Sequence, residues 1–125
     1  MHVGDVVVSG SSPTGDELVR LLGTLANPHR LRIVAALLAE RAYVSELARE
    51  LRISRALLQV HLRKLEAAGL VTASLEVSAE GKAMKFYEVT PFSIQLTPQA
   101  VAAAVPTLST PDSVQGDGLD EGARS

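Results

Sequence analysis

The chain has 125 residues, 46% of them hydrophobic but only four aromatic, which suits one small domain with an aliphatic core. It has no cysteine, so a disulfide framework, a thiolate nucleophile and a thiolate metal site are excluded. A net charge of −2 hides an uneven distribution: residues 27–65 carry eight Arg or Lys against three Glu, and residues 106–125 carry four acids against Arg124.

The chain begins with "MHVGDVVVSGSSP", a Gly/Ser/Pro-punctuated stretch read as a flexible segment over 1–13, with a short strand at Val6 to Val8. It has neither the basic start nor the apolar length of a signal peptide, and no apolar run reaches 18 residues, so a cytoplasmic protein without a membrane partner is expected. "TGDELVRLLGTLAN" reads as a helix: Asp16 and Glu17 favour its N-terminus, and Leu18, Leu21, Leu22 and Leu25 share a face. Asn27-Pro28, an N-cap followed by proline at the first helical position, opens a second helix through "HRLRIVAALLAER". "VSELARELR" is a short third helix.

Ser54 then caps "RALLQVHLRKLEAA", a helix over 54–68, and Gly69 closes it in the left-handed conformation. Leu58, Leu62 and Leu65 line one side of this helix. At about 100° per residue the other side gathers Ala56, Gln59, Val60 and Arg63, with Arg55 at its edge. After Gly69 the pattern changes to β-branched and aromatic residues over 70–90, broken at Ala79-Glu80-Gly81-Lys82, which is a hairpin with a glycine-containing turn. "FSIQL" either extends the sheet or lies over the core. Thr97-Pro98 caps a last short helix, "QAVAAAV", which Pro106 stops, and residues 106–125 read as a disordered acidic tail. The ordered domain is therefore expected over 14–105.

Helix, tight turn, helix, hairpin is the order of a winged helix-turn-helix, in which the second helix enters the major groove. This explains the mixed face. Arg55 and Arg63 suit guanine or phosphate, Gln59 suits adenine, and Ala56 and Val60 suit thymine methyls. Lys82 and Lys85 of the hairpin are placed for phosphate or the minor groove. The fold expected is mainly α with a β-hairpin wing, and the partner expected is double-stranded DNA.

"LANPHRLRIVAALL", "VSELARELRISRALLQVHLRKLEAAGLV" and a hairpin ending in "KFYEVT" together resemble the ArsR/SmtB-type winged-helix transcriptional regulators, from about Leu18 to Thr90. The resemblance implies a homodimer on an operator with two half-sites, normally a repressor. It implies base contacts from Arg55, Ala56, Gln59, Val60 and Arg63 and a backbone contact from Ser54; Lys64 on the helix and Lys82 and Lys85 on the wing are expected DNA contacts beside these. Family members that sense soft metals use a Cys-x-Cys pair where this chain has Tyr43 and Ser45. Those that sense zinc use ligands on the last helix, where "PQAVAAAV" has none. His2, His29 and His61 are far apart in sequence, so no metal or cofactor site is expected. The alanine-rich last helix and "LVRLLGTL" are the expected dimer surfaces. An effector, small molecule or protein, is left open, as is activation rather than repression. No phosphate loop, nucleophile elbow or His/Asp pairing supports an enzyme. The competing reading is a winged-helix protein-interaction module without specific DNA binding.

Overall fold

A computed structural model describes residues 13–109; the strand expected at Val6 to Val8 and the acids from Asp112 onward lie outside the described residues. Five helices and three strands follow in the order α1 (Gly15–Leu25), α2 (Pro28–Ala39), β1 (Ala42–Tyr43), α3 (Val44–Leu51), α4 (Arg55–Ala67), β2 (Val71–Val77), β3 (Ala83–Val89) and α5 (Pro98–Ala104). The local signals act where the sequence places them. The Asn27 side chain accepts from the backbone N–H of His29 and Arg30, the Ser54 hydroxyl accepts from Leu57, and Thr97 accepts from Ala100. Each satisfies donors that a helix start leaves without a partner. Thr14 adds a capping box on α1, with Glu17 bonding back to its backbone.

The two helices of the helix-turn-helix end in the same way. Ile53 N donates to Ala48 O and Leu70 N to Leu65 O, six-to-one bonds that require a left-handed residue just before the donor. Gly69 supplies it after α4 at φ 80°, where a missing Cβ makes the conformation free. After α3 the residue is Arg52 at φ 60°, which carries the steric cost that glycine avoids.

The sheet has the order β1-β3-β2 and is antiparallel throughout. β2 and β3 form the expected hairpin, in register from Val71 against Val89 to Val77 against Ala83, with Gly81 at φ 83° in its turn. β1 was not expected. It is two residues long and pairs with β3 through Ala42 to Tyr87 and Tyr43 to Phe86, fastening the wing to the helical body. Tyr43 stacks on Phe86 at 4.0 Å, and the Arg41 guanidinium lies 4.0 Å above the same ring while pairing with Glu76 at 2.8 Å.

One aliphatic core joins α1 to α4 and the sheet. Leu21, Ile33, Leu37, Leu47, Leu58, Leu62, Leu65 and Leu70 are almost wholly buried, together with Tyr87 from β3. Of the two readings open for "FSIQL", the second holds: residues 91–96 are in no strand, and Phe92 and Ile94 pack on the core. The domain also runs past the expected stop at Pro106. α5 ends at Ala104, but Val105–Thr107 form a 3₁₀ turn that returns to the start of α1. There Thr107 Oγ1 accepts from Gly15 N at 2.6 Å and donates to Ala104 O, and Ser109 bonds the Asp16 carboxylate through its backbone N–H and its hydroxyl. These bonds to Ser109 hold the Asp16 carboxyl below its ordinary pKa.

Candidate nucleic-acid interface

α4 separates its two faces sharply. Leu58, Leu62 and Leu65 are fully buried, whereas Arg55, Ala56, Val60 and Arg63 are exposed. Val60 keeps 40% of its surface in solvent, although a packed domain has every reason to bury it. Gln59 lies half-buried beside this face. The helix starts at Arg55 because Ser54 caps it, so its first turn, with free N–H groups and a favourable dipole, belongs to the same surface.

Arg55 and Gln59 also line an open concavity of about 210 Å³ with Tyr43 and Ser45 from the start of α3 and Met84 and Lys85 from β3. The start of α3, the start of α4 and the wing therefore share one surface. Tyr43, Ser45 and Met84 are additions to the residues expected from sequence. Ser45 was open to detection, since it stands in the first turn of the helix preceding the tight turn; Met84 depends on the fold of the sheet. Lys85 reaches over the Tyr87 ring at 5.6 Å. Lys82 is exposed at the hairpin end, where its backbone is held by Ser78.

Lys64 is exposed one turn on from Val60 and also lines a cleft with Arg20 and Arg30. Among the described residues the Arg41–Glu76 contact is the one ion pair, so Arg55, Arg63, Lys82 and Lys85 have no carboxylate partner and remain available to phosphates.

His29 and His61 are closer than their separation in sequence implied. Their ring centroids are 5.3 Å apart. His61 is only 6% exposed, its Nδ1 accepts from Arg30 Nε at 3.1 Å, and its Nε2 has no partner. Burial pushes its pKa down, and Arg30, His29 and Lys64 push it further. Among the described residues no three His, Cys, Asp or Glu side chains come together around a point where a metal ion would sit. At the position of the soft-metal cysteines, Tyr43 is engaged in its stack on Phe86. No helix among the described residues is long and apolar enough to cross a membrane.

Comparison with known proteins agrees with this geometry. Residues 27–73, from the cap of α2 into β2, match the model of the bacterial regulatory protein arsR family. A helix-turn-helix-type transcriptional regulator of Methanocaldococcus jannaschii is 34% identical over 80 residues, which are 64% of this chain and 83% of that protein. Among solved structures, reduced HlyU from Vibrio cholerae superposes with a TM-score of 0.52 at 28% identity, over 73% of this chain and 84% of that one. NolR from Sinorhizobium fredii gives 0.51 at 26% identity, over 73% and 80%. The chain is a member of the ArsR family, a DNA-binding transcriptional regulator built on a winged helix-turn-helix.

Proposed function

We propose that the protein is a homodimeric repressor that inserts α4 into the major groove of each of two operator half-sites and rests its wing on the flanking backbone. The observation that carries this reading is the exposed face of α4. Arg55, Ala56, Val60 and Arg63 stay in solvent on a helix whose other side is fully buried. Arg55 and Arg63 are forked donors for guanine or phosphate, Gln59 is a bidentate partner for adenine, and Ala56 and Val60 pack on thymine methyls. Ser54, at the N-terminus of the helix, and Lys82 and Lys85 of the wing take phosphates or sugar. Lys64, exposed one turn on from Val60, takes a phosphate at the edge of this face.

Dimerisation is supported by apolar surface left open on the first and last helices. Val19 of α1 is 62% exposed and Val101 of α5 is 42% exposed, with Val105 and Leu108 continuing the strip. A second copy that covers it presents two reading helices about 34 Å apart for one face of the duplex. Repression follows if the operator overlaps a promoter, because the bound dimer then excludes the polymerase.

Fluorescence anisotropy with DNA from upstream of the protein's own gene, at two salt concentrations and with unrelated DNA beside it, tests this reading. Tight, salt-sensitive binding that prefers the upstream fragment is expected, with a loss of about 1–3 kcal/mol for Arg55→Ala and for Arg63→Ala. Equal weak binding to every fragment, unaffected by either substitution and unchanged after selection from random DNA, refutes it.

A further inference from the structure

A second concavity, of about 450 Å³, lies between α1, α2 and the end of α4, away from the reading face. Arg20, Arg30 and Lys64 all line it, and no acidic side chain does. Like charges are gathered there without neutralisation, since the one ion pair among the described residues is at Arg41. The rest of the lining is small or apolar and largely exposed, with Val19 of α1 at its edge. Gly23, Ala67 and Ala68 leave room that larger residues would fill, and a Cβ placed on Gly23 meets nothing within 4 Å.

Arg30 is held in place rather than free to follow solvent. Its Nε donates to His61 Nδ1 at 3.1 Å and its Nη1 donates to Thr24 O at 3.2 Å. A guanidinium has five N–H donors, so three of them have no acceptor among the described residues. Behind it, His61 is 94% buried, the complement of its 6% exposure, and its Nε2 has no partner. With Nδ1 accepting, Nε2 carries the proton on the far side of the ring, outside the lining of the cleft, so the part His61 plays here is to hold Arg30 in place. Burial lowers the His61 pKa most, and among its charged neighbours Arg30 and Lys64 belong to the cleft.

We propose that this cleft binds a small organic anion, a carboxylate or phosphate ester with a compact apolar body, held by Arg30 and closed upon by Arg20 and Lys64. The volume lies within the range of small-molecule sites, which are mostly apolar with a few convergent polar groups. The charged head meets a fixed donor that is already oriented, and the apolar body lies against Gly23, Ala67 and Ala68. An occupant touches α1, which carries open apolar surface, and α4, which carries the reading face, so it is placed to alter how the two helices sit together. The binding itself does not depend on where DNA lies.

The test is a titration of the ¹⁵N-labelled full chain with benzoate, phenyl phosphate and inorganic phosphate, followed by amide shifts. Saturable shifts at Gly23, Thr24, Ala67 and Ala68 are expected. The better organic anion should bind about tenfold more tightly than inorganic phosphate, and Arg20→Gln and Lys64→Gln should each weaken it about tenfold. Both side chains reach the cleft from helix surfaces, and the remaining amide shifts of each variant report whether the fold is kept. Which organic anion binds better identifies the head group. Absence of saturable shifts in the cleft, equal affinity in the variants, or shifts centred on Arg55 and Arg63 overturns the proposal. So does a tenfold loss of DNA affinity in Arg20→Gln and Lys64→Gln with the anions inert, which assigns these cations to DNA phosphates.

Discussion

Alanine at two glycines of α1 should act in opposite directions. A Cβ on Gly15 falls 2.6 Å from Ala104 O, 2.6 Å from Leu108 Cγ and 2.7 Å from Leu108 Cδ2. Ordinary contact begins near 3.4 Å, so about 1 Å must be found, and the carbonyl that has to move is backbone. It is also tied to Thr107, whose hydroxyl donates to Ala104 O and accepts from Gly15 N. The cheapest escape is for residues 104–109 to lift off α1, losing the Gly15–Thr107 bond, the Ser109–Asp16 bonds and the packing of Leu108. Overpacking and one lost part-buried hydrogen bond together amount to about 2 kcal/mol. Gly23→Ala meets nothing within 4 Å and replaces a helix-interior glycine, so it should stabilise by about 1 kcal/mol. The gap of about 3 kcal/mol is measurable by urea denaturation followed by circular dichroism, at one protein concentration because the proposed dimerisation would enter by mass action. Thr107→Val combined with Gly15→Ala should cost less than the sum of the two, because both release the same segment. If Gly15→Ala is as stable as Gly23→Ala, the docking of the C-terminal turn on α1 is wrong.

Three further outcomes follow from single residues. Arg52→Gly removes the left-handed penalty at the end of α3 and should raise stability by about 1 kcal/mol in the same denaturation assay; a loss would mean that the Arg52 side chain holds the turn. Leu62→Ala opens a cavity where the side chain is 0% exposed and should cost about 2–5 kcal/mol, whereas Val60→Ala, one turn-face away, should change stability by less than about 1 kcal/mol. The His61 pKa is lowered in the folded chain by burial and by Arg30, His29 and Lys64, so the unfolded chain binds the proton first. Stability should therefore be complete above the unfolded value of 6.5 and fall as the pH drops below it, with a slope of at most about 1.4 kcal/mol per pH unit. His61→Gln should remove that part of the slope, and denaturation midpoints that fall in parallel for both chains would refute the assignment.

What could be read directly from the chain was whatever is decided within a few residues. Asn27-Pro28, Ser54 and Gly69 mark helix ends because the caps they make are local, and the leucine spacing of α4 identifies its buried side without knowledge of what covers it. Distant pairings were not legible. β1 is two residues whose partner strand begins some forty positions later, so no alternation marks it. Thr107 meets Gly15 across 92 residues, and nothing near Pro106 signals that the turn folds back. His29 and His61 meet because α2 packs on α4, which their spacing does not encode. That Lys64 shares a cleft with Arg20 and Arg30 depends on where α1 and α2 pack, and that is a tertiary fact.

The division of labour within α4 has a consequence for how such a regulator changes its target. Burial of Leu58, Leu62 and Leu65 holds the helix against α2 and α3, and each contributes about 1.5–3 kcal/mol by removal from water. The exposed side makes no such contribution: Arg55 and Arg63 have no ion pair among the described residues, and Val60 and Ala56 pack on no core. Substitutions there are therefore limited by helix propensity and solubility, whose spread is a few tenths to about 1 kcal/mol per residue. A change at Gln59 is constrained more, since it is half-buried beside Tyr43 and Lys85 in the concavity. Ala56, Val60 and Arg63 are consequently the positions of the exposed face that can be altered at almost constant stability, and on the proposed mode of binding they are where base preference would change, whereas Arg55 and Gln59 are tied to the fit of the wing.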